Sequence, residues 1–285
     1  MNLHRTIGGL RSALVPHRPS ARIGLVPTMG ALHAGHVALL DAARSASDRV
    51  VASIFVNPTQ FGNQDDLASY PRTEAQDCEL AAAAGVDELF IPSREEMYPA
   101  GFATWVDVEQ TAGLEDAFRP GHFRGVATVC VKLFTIVQPT IAFFGQKDAQ
   151  QVAVVRQLVR DLDLPLTIRV IPTVRDSDGL ALSSRNVRLS PAERQHALAI
   201  PRALDAGCSA HRDGRDPVAE ARRTLEGTPG VEIEYVATAS FDGQPTLAIA
   251  VRVGATRLID NAPLTAAPDA TRVREQPSPL GHRDN

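Results

Sequence analysis

The sequence predicts an α/β protein in which a doubly wound parallel sheet is followed by a smaller α+β domain. Between residues 23 and 171, short apolar runs rich in β-branched residues alternate with stretches of helical periodicity. Strands that alternate with helices indicate a parallel sheet whose two faces are both covered. After Asp178-Gly179 the order changes to helices followed by strands, which indicates a second unit of different architecture.

Five strands and four helices are predicted in the first part of the chain. The strands are Ile23–Pro27, Val50–Val56, Glu88–Ile91, Thr140–Phe144 and Leu166–Ile171. The helices are Gly35–Ser47, Thr73–Ala84, Val126–Val137 and Asp148–Arg160, with Thr73 and Asp148 as candidate N-caps. This order predicts a Rossmann-like first domain over residues 1–175. Ligands of such sheets bind outside the carboxyl ends of the strands, so residues that follow a strand are the first candidates for a site.

The second part of the chain predicts the smaller α+β domain, over residues 176–265. Ser190 and Pro191 begin a long predicted helix that runs to about Ala210, because proline is tolerated in a first helical turn. Another helix and three strands follow: Asp216–Leu225, then Val231–Ala239, Leu247–Val253 and Thr256–Ile259. The last stretch, 266–285, is rich in Pro, Asp and Arg without periodicity and predicts a flexible tail.

The composition excludes several classes of function. The chain has 285 residues, of which 44% are hydrophobic, and this is a globular composition. Because 29 Lys and Arg stand against 33 Asp and Glu, we expect no nucleic-acid or membrane partner, which would need a basic face. The three cysteines lie far apart, and no apolar run approaches the roughly 20 residues of a membrane span. We therefore expect a cytoplasmic protein.

A turn with two histidines follows the first predicted strand. Its sequence is Pro27-Thr-Met-Gly-Ala-Leu-His33-Ala-Gly-His36, and a helix begins there. Gly30 and Gly35 let the backbone take positive φ or approach a ligand closely, and a helix N-terminus favours an anion. A histidine beside that terminus tends to stay neutral, so it can donate a hydrogen bond to a phosphate oxygen. For a bare H-x-x-H, a glycine turn with two incidental histidines is the alternative.

Two further loops carry groups that suit a phosphate. Leu182-Ser-Ser-Arg185-Asn186 offers two hydroxyls and a guanidinium fork, although such loops are also common on surfaces. Phe143-Phe-Gly-Gln-Lys147-Asp148 follows a strand and opens a helix, so Lys147 could reach a triphosphate and Asp148 the ribose hydroxyls. The alternative for this second loop is an ordinary strand-to-helix turn capped by Asp148.

Six sequence blocks, taken in order, resemble one enzyme family. The His33-Ala-Gly-His36 segment is similar to the H-x-G-H signature of nucleotidyl-transferring enzymes, which act at the α-phosphate of ATP. Together the blocks resemble the pantothenate synthetase family, the pantoate–β-alanine ligases, as far as about Asn261. The blocks are Pro27-Thr-Met-Gly-Ala-Leu-His-Ala-Gly-His36, Ser53-Ile-Phe-Val-Asn-Pro-Thr-Gln-Phe-Gly62, Tyr70-Pro-Arg-Thr73, Arg119-Pro-Gly-His-Phe-Arg-Gly125, Gly145-Gln-Lys-Asp-Ala-Gln-Gln151 and Asp178-Gly-Leu-Ala-Leu-Ser-Ser-Arg-Asn186.

This resemblance implies a two-step reaction at one site. The carboxylate of (R)-pantoate attacks the α-phosphate of ATP, which carries Mg²⁺ through its phosphates, and pantoyl adenylate and pyrophosphate result. The amine of β-alanine then attacks the adenylate, and AMP and (R)-pantothenate leave. The resemblance also implies a homodimer formed through the first domain.

The family pattern implies a role for individual positions. His33, His36, Lys147 and Arg185 are the implied catalytic residues, with His36 donating to the phosphate chain. Gln60 and Gln151 are implied to hold pantoate, although from the sequence alone they would be a loop residue and a helix-surface residue. The implied ATP-binding residues are Met29, Gly30, Ala31, Leu32, His33, Ala34, Gly35, His36, Gly145, Gln146, Lys147, Asp148, Val174, Leu182, Ser183, Ser184 and Arg185.

Several positions and two other functions stay open. Gln146 and Ala149 stand where the family commonly has an acidic and an aromatic residue. The chain could be another adenylyl-transferring enzyme of the H-x-G-H group, or a nucleotide-binding relative without catalysis. AMP release that depends on β-alanine would distinguish the pantoate ligase from both. No role is assigned to four further polar residues: Asn57, Tyr70, Arg119 and His122.

Overall fold

Two β-sheets organise the chain in the computed structural model, which describes residues 1–62, 64–109, 113–241 and 243–264. Their strands are β1 Asn2–His4, β2 Ile23–Thr28, β3 Arg49–Ile54, β4 Glu88–Phe90, β5 Ile141–Gly145, β6 Thr167–Ile171, β7 Val231–Phe241, β8 Gln244–Val253 and β9 Thr256–Pro263. The helices are α1 Ile7–Leu14, α2 Ala34–Ala46, α3 Gln64–Ala68, α4 Glu74–Ala83, α5 Arg94–Met97, α6 Glu115–Phe118, α7 His122–Val137, α8 Ala149–Asp161, α9 Pro191–Ala197, α10 Ala199–Arg212 and α11 Pro217–Glu226. Short 3₁₀ turns lie at Pro58–Gln60, Gln146–Asp148 and Ser184–Arg188.

The first sheet is parallel throughout, in the order β1-β4-β3-β2-β5-β6. Successive strand residues face opposite sides, because side chains alternate along a strand. Leu25 and Val51 pack in the core beneath α1, α7 and α8, whereas Val26 and Val50 pack in the core beneath α2 and α4. The predicted Rossmann-like, doubly wound sheet is therefore confirmed. β1 and α1 were not predicted. A three-residue strand with mostly exposed side chains leaves little apolar pattern, and the short α1 buries only Leu10 and Leu14.

The second sheet is an antiparallel meander in the order β7-β8-β9, and it packs with α9, α10 and α11 around a core of its own. This confirms the smaller α+β unit. The prediction of one helix from Ser190 to about Ala210 was wrong, because α9 ends at Ala197 and α10 begins at Ala199. Pro201 has no N–H to donate to the carbonyl of Ala197, and its ring clashes there, so the helix breaks.

Two predicted helix caps differ from the structure. Thr73 and Asp148 do occupy the residues before α4 and α8, but neither side chain accepts a capping hydrogen bond. The Thr73 hydroxyl donates instead to Asp77 Oδ1 at 3.1 Å. Asp148 ends a 3₁₀ turn, and its Oδ1 lies 3.5 Å from Lys147 Nζ. Both side chains are therefore used for contacts other than capping.

Close packing at one glycine brings α7 against the turn that follows β3. A Cβ atom on Gly125 of α7 would lie 2.5 Å from the carbonyl oxygen of Thr59, so only glycine lets the helix approach this backbone. The 3₁₀ turn Pro58–Gln60 is thereby held against α7 at the carboxyl end of the sheet. The domain boundary near residue 175 stays a prediction, and the predicted tail lies outside the described residues.

Among the described helices, none combines the length and the apolar character needed to cross a membrane.

Candidate active site

A cleft lies at the carboxyl ends of β2, β3, β5 and β6. The part against the first sheet, called here the deep part, has a volume of about 220 Å³. It shares Lys147, Asp148 and Arg185 with an outer part of about 740 Å³ against the second sheet. The sequence-predicted residues that line the deep part are Met29, His33, Gly35, His36, Gln60, Gly145, Lys147, Asp148, Gln151, Val174, Leu182, Ser183, Ser184 and Arg185. Five separate segments of the chain are thus brought to one place.

The two histidines are held by the start of α2 itself. His33 is the N-cap residue, and its Nδ1 accepts a hydrogen bond from the Gly35 N–H at 3.1 Å. His36 Nδ1 accepts in turn from the His33 N–H at 3.3 Å. Because each Nδ1 is an acceptor, the proton of each neutral ring is on Nε2. A Cβ on Gly35 would lie 2.9 Å from the His33 ring, so glycine is required between the histidines.

Both imidazoles are kept neutral by their surroundings. Burial, together with the neighbouring His33 and Lys147, lowers the pKa of His36 to about 3. Burial and Lys147 also lower the pKa of His33. Across the cleft, burial and the Arg119 guanidinium lower the pKa of His122 to about 4. The cleft thus contains neutral imidazole N–H donors, which can bind an anion without first taking up a proton.

These lowered pKa values predict a pH dependence of stability. The pKa of His122 falls from 6.5 to about 4 on folding, so between those pH values the unfolded chain binds protons that the folded chain does not. We expect His122 to leave the free energy of unfolding unchanged above pH 6.5 and to lower it as the pH falls toward 4. Urea titrations at several pH values measure it, and His122→Gln, which does not titrate, should give a shallower decrease. An equally steep decrease in the variant would contradict this assignment.

Five predicted ATP-binding residues lie outside the lining of the deep cleft: Gly30, Ala31, Leu32, Ala34 and Gln146. The N–H groups of Ala31 and Leu32 donate to the Asp77 carboxylate at 2.9 and 2.7 Å. Gly30 has a φ of +81°, and its N–H donates to the Thr28 hydroxyl. These backbone groups hold the turn onto α4, and their role toward ATP stays a prediction.

The cations of the cleft differ in how they are paired. Arg185 Nη2 donates to Asp66 Oδ2 at 2.9 Å, and Arg188 Nη1 donates to the other oxygen at 3.1 Å. Lys147 Nζ has a longer contact of 3.5 Å with its neighbour Asp148. Nothing in the sequence indicated that Asp66 of α3 accepts a hydrogen bond from Arg185. The Ser184 hydroxyl of the same loop contacts the Tyr70 hydroxyl at 3.1 Å.

Asn57 organises the end of the cleft that Gln60 and Gln151 line, called here the glutamine end. Gln60 is buried, and its Oε1 accepts from Asn57 Nδ2 at 2.9 Å. Asn57 Nδ2 also donates to the Gly125 carbonyl, and Asn57 Oδ1 accepts from the Tyr98 hydroxyl at 3.0 Å. The amide of Gln60 is therefore oriented with its Nε2 directed toward the cleft, where its contact is the Met29 sulfur at 3.2 Å. Gln151, on the first turns of α8, lines the same cavity.

The second sheet supports the cleft from the side of Lys147. Asn261 of β9 is buried and donates from Nδ2 to the carbonyls of Lys147 and Gln146 at 2.8 and 3.0 Å. Arg175 forms a two-pronged ion pair with the adjacent Asp260 at 2.6 and 3.2 Å. Sequence reasoning missed this support, because an isolated asparagine in a strand gives no pattern that indicates a role.

Within the described ranges, no three His, Cys, Asp or Glu side chains are grouped closely enough to hold a metal ion.

Known proteins resemble the chain over nearly its whole described length. The sequence model of the pantoate-beta-alanine ligase family matches residues 2–263. A pantothenate synthetase of Moorella thermoacetica is 52% identical over 279 residues, which are 93% of this chain and 99% of the relative.

Solved structures agree with that match. The crystal structure of pantoate-beta-alanine ligase (pantothenate synthetase) from Thermus thermophilus has a TM-score of 0.89 at 45% identity, and covers 93% of this chain and 99% of its own. The pantoate-beta-alanine ligase from Francisella tularensis, complexed with beta-gamma ATP and beta-alanine, has a TM-score of 0.82 at 36% identity and covers 93% and 98%. On this combined likeness of sequence and fold, the chain belongs to the pantoate–β-alanine ligase family.

Proposed function

We propose that the chain condenses (R)-pantoate with β-alanine to (R)-pantothenate at the expense of ATP, through a pantoyl-adenylate intermediate. The observation that carries the proposal is the single cleft that combines phosphate donors with a pair of glutamines. The family resemblance supports the choice of substrates, and the relative from Francisella tularensis was crystallised with beta-gamma ATP and beta-alanine.

In the first step, a pantoate carboxylate oxygen attacks the α-phosphorus and the bond to the β-phosphate oxygen breaks. Pyrophosphate leaves with that electron pair, so negative charge grows on the phosphate chain. We assign the Nε2–H groups of His33 and His36 to donate to those oxygens, as Lys147 supplies a positive charge. Donors placed in advance where charge develops lower the barrier more than groups that must reorganise.

Mg²⁺ belongs to the proposal only through its complex with ATP. When bound with ATP, it would neutralise part of the phosphate charge. The exposed carboxylate of Asp148 is the acidic side chain of the cleft wall nearest to Lys147. A binding role for Asp148 toward the ribose hydroxyls stays part of the same proposal.

Pantoate is assigned to the end of the cleft between Gln60 and Gln151. A side-chain amide can both donate and accept, so two of them suit the hydroxyl groups of pantoate. The hydrogen bond from Asn57 fixes the Gln60 amide before substrate binds, which reduces the entropy lost on binding. We therefore propose Asn57 as the positioning residue of Gln60.

In the second step, the free amine of β-alanine attacks the acyl carbon of the adenylate. The C–N bond forms, the bond from carbon to the phosphate oxygen breaks, AMP leaves with the electron pair, and the surplus amine proton passes to solvent. The adenylate must be shielded from water until the amine arrives. The second sheet, which lines the outer cleft through β9, is positioned to provide that shielding.

Three further parts of the proposal were predicted above, the first two from the sequence pattern and the homodimer from the family resemblance. The two units, 1–175 and 176–265, act as separate domains, and the supporting observation is that each sheet has its own hydrophobic core. The protein works in the cytoplasm. It forms a homodimer through the first domain, where Trp105 leaves 41% of its surface exposed.

The first half-reaction provides the test of this function. We expect the enzyme to exchange labelled pyrophosphate into ATP when pantoate is present and β-alanine is absent, since adenylate formation needs no amine. Gln60→Ala and Gln151→Ala should raise the KM for pantoate in this exchange by about 10-fold or more, with little change in the KM for ATP. Gln157→Ala is the matched control, because Gln157 lies on the same helix as Gln151 and bonds Asp161 at the surface.

Other outcomes would overturn the proposal in separate ways. Exchange that requires β-alanine would remove the free-standing adenylate. Exchange supported equally by unrelated carboxylates would remove pantoate as the substrate, and tight ATP binding without AMP formation would indicate a relative that only binds nucleotide.

A further inference from the structure

A buried charge cluster connects the glutamine end of the cleft with the second sheet. Glu115, the first residue of α6, accepts hydrogen bonds from Arg257 Nη1 and Nη2 at 2.8 and 2.7 Å. The Tyr235 hydroxyl donates to Glu115 Oε1 at 2.8 Å. Although burial alone would raise the pKa of Glu115, the hydrogen bonds from Arg257 hold it below its ordinary value. Glu115 is therefore an ionised carboxylate whose strong partners lie on β7 and β9.

Arg119 lies beside this cluster and has no comparably close anionic partner among the described residues. Its Nη1 is 3.6 Å from Glu115 Oε2, beyond an ordinary hydrogen bond. Its Nη2 donates to the Gln60 carbonyl at 3.3 Å, and its Nη1 contacts His122 Nε2 at 3.3 Å. The Arg119 side chain is 20% exposed, and it lines both the deep and the outer parts of the cleft. A largely desolvated guanidinium is thus presented to the substrate space.

The glutamates beside Arg119 have closer partners. Arg257 is shared between Glu115 and Glu234, and Arg252 Nε donates to Glu234 at 3.1 Å. Both oxygens of Glu115 thus have shorter bonds to Arg257 and Tyr235 than the 3.6 Å contact with Arg119, so Glu115 is not at hydrogen-bond distance from Arg119. A buried charge is costly without a partner, and a ligand carboxylate would supply one.

We propose that Arg119 binds the carboxylate of β-alanine and so orients its amine toward the adenylate; the assignment rests on the proposed function. Two substrate carboxylates take part in the reaction, that of pantoate and that of β-alanine, and only one of them keeps its charge. The carboxylate of pantoate becomes an acyl phosphate ester in the first step and loses its charge. A guanidinium bound to it would reduce its nucleophilicity and would then be left unpaired.

The carboxylate of β-alanine, in contrast, stays ionised from binding to product. A permanently charged guanidinium suits a permanent anion, and its planar fork can pair with both oxygens. Arg119 also lies against Gln60, at the end of the cleft to which the acyl group is assigned. The site would thereby select amines that carry a carboxylate at a fixed distance.

The test compares Arg119→Met with Arg124→Met. Arg124 is a matched control on the adjoining helix, and its guanidinium lies 4.9 Å above the Trp105 ring, away from the cleft. For Arg119→Met we expect the KM for β-alanine to rise about 10- to 100-fold, the loss typical of one charge-assisted hydrogen bond. Pantoate-dependent pyrophosphate exchange should keep its KM values for pantoate and ATP. The preference for β-alanine over β-alaninamide should also shrink by a similar factor.

Other results would overturn either the Arg119 assignment or the proposed function. A raised KM for pantoate or ATP in the exchange, with the KM for β-alanine unchanged, would overturn the assignment, as would an unaltered preference over the amide. Wild-type enzyme without pantoate-dependent exchange would overturn the proposed function instead. If Arg119→Met does not fold, Arg119→Lys takes its place, because it keeps the charge without the fork and should still raise the KM for β-alanine.

Discussion

Replacing Lys147 with alanine is expected to lower the rate of pantoate-dependent pyrophosphate exchange by about 10³-fold, because a cation at transferring phosphates is among the largest single contributions. Among the cleft cations Lys147, Arg185 and Arg188, Lys147 has the longest contact with a carboxylate. Arg185 and Arg188 both pair with Asp66, whereas Lys147 Nζ is 3.5 Å from Asp148. The initial rate of exchange of labelled pyrophosphate into ATP measures the loss, and Lys147→Arg should recover only part of it, since a fork does not replace a compact charge.

The chain supplies a direct control for this prediction. Lys132 and Lys147 are its two lysines, and Lys132 Nζ lies 5.0 Å above the Phe102 ring on the outer side of α7. Lys132→Ala removes the same charge from the protein and should leave the exchange rate unchanged. Equal losses in the two variants, or a change of only a few-fold in Lys147→Ala, would contradict a phosphate-binding role.

Replacing His36 with alanine should lower adenylate formation by about 10²- to 10³-fold, the usual cost of one lost donor in a preorganised site. Stability should fall too, by about 1 kcal/mol, because His36 Nδ1 accepts the His33 N–H in the capping box of α2. The rate is therefore measured at temperatures and concentrations at which the variant is fully folded, as urea titration establishes.

A second capping box separates these two effects. Ser190 and Glu193 form the same reciprocal arrangement at the start of α9. Ser190→Ala should lose a similar amount of stability and retain the wild-type exchange rate. If Ser190→Ala and His36→Ala slowed the reaction equally, the loss would come from stability, and His36 would have no part in the chemistry.

Local patterns were enough to predict most strands of the two sheets and many residues that line the cleft. The alternation of apolar runs with helical periodicity predicted β2 to β6, since side chains in strands and helices repeat with different periods. The His33-Ala-Gly-His36 turn was found because a strand, a glycine turn and a helix start are contiguous in the chain. Helix bounds were harder to predict, as Pro201 shows, because one missing N–H acts four residues away.

Contacts between distant segments were not predictable in the same way. The N–H groups of Ala31 and Leu32 bind Asp77, which is 46 and 45 residues further along the chain. Asp66 accepts a hydrogen bond from Arg185 across 119 residues, and Glu115 accepts one from Arg257 across 142 residues. No spacing rule connects such residues, because the strand order and the helix packing determine which side chains meet.

The sequence by itself determined the doubly wound sheet, the smaller α+β unit, the family, and the residue types that can bind a phosphate. Those properties depend on hydrophobic periodicity, on turn residues and on short motifs, all of which act over a few neighbouring positions. Only the tertiary structure decided which cations are already paired, which imidazole nitrogens carry the protons, and that Arg119 faces the cleft with its nearest carboxylate, that of Glu115, beyond hydrogen-bond distance. Charge and hydrogen bonding depend on distance in space and on burial, so they are settled only when the two sheets meet around the cleft.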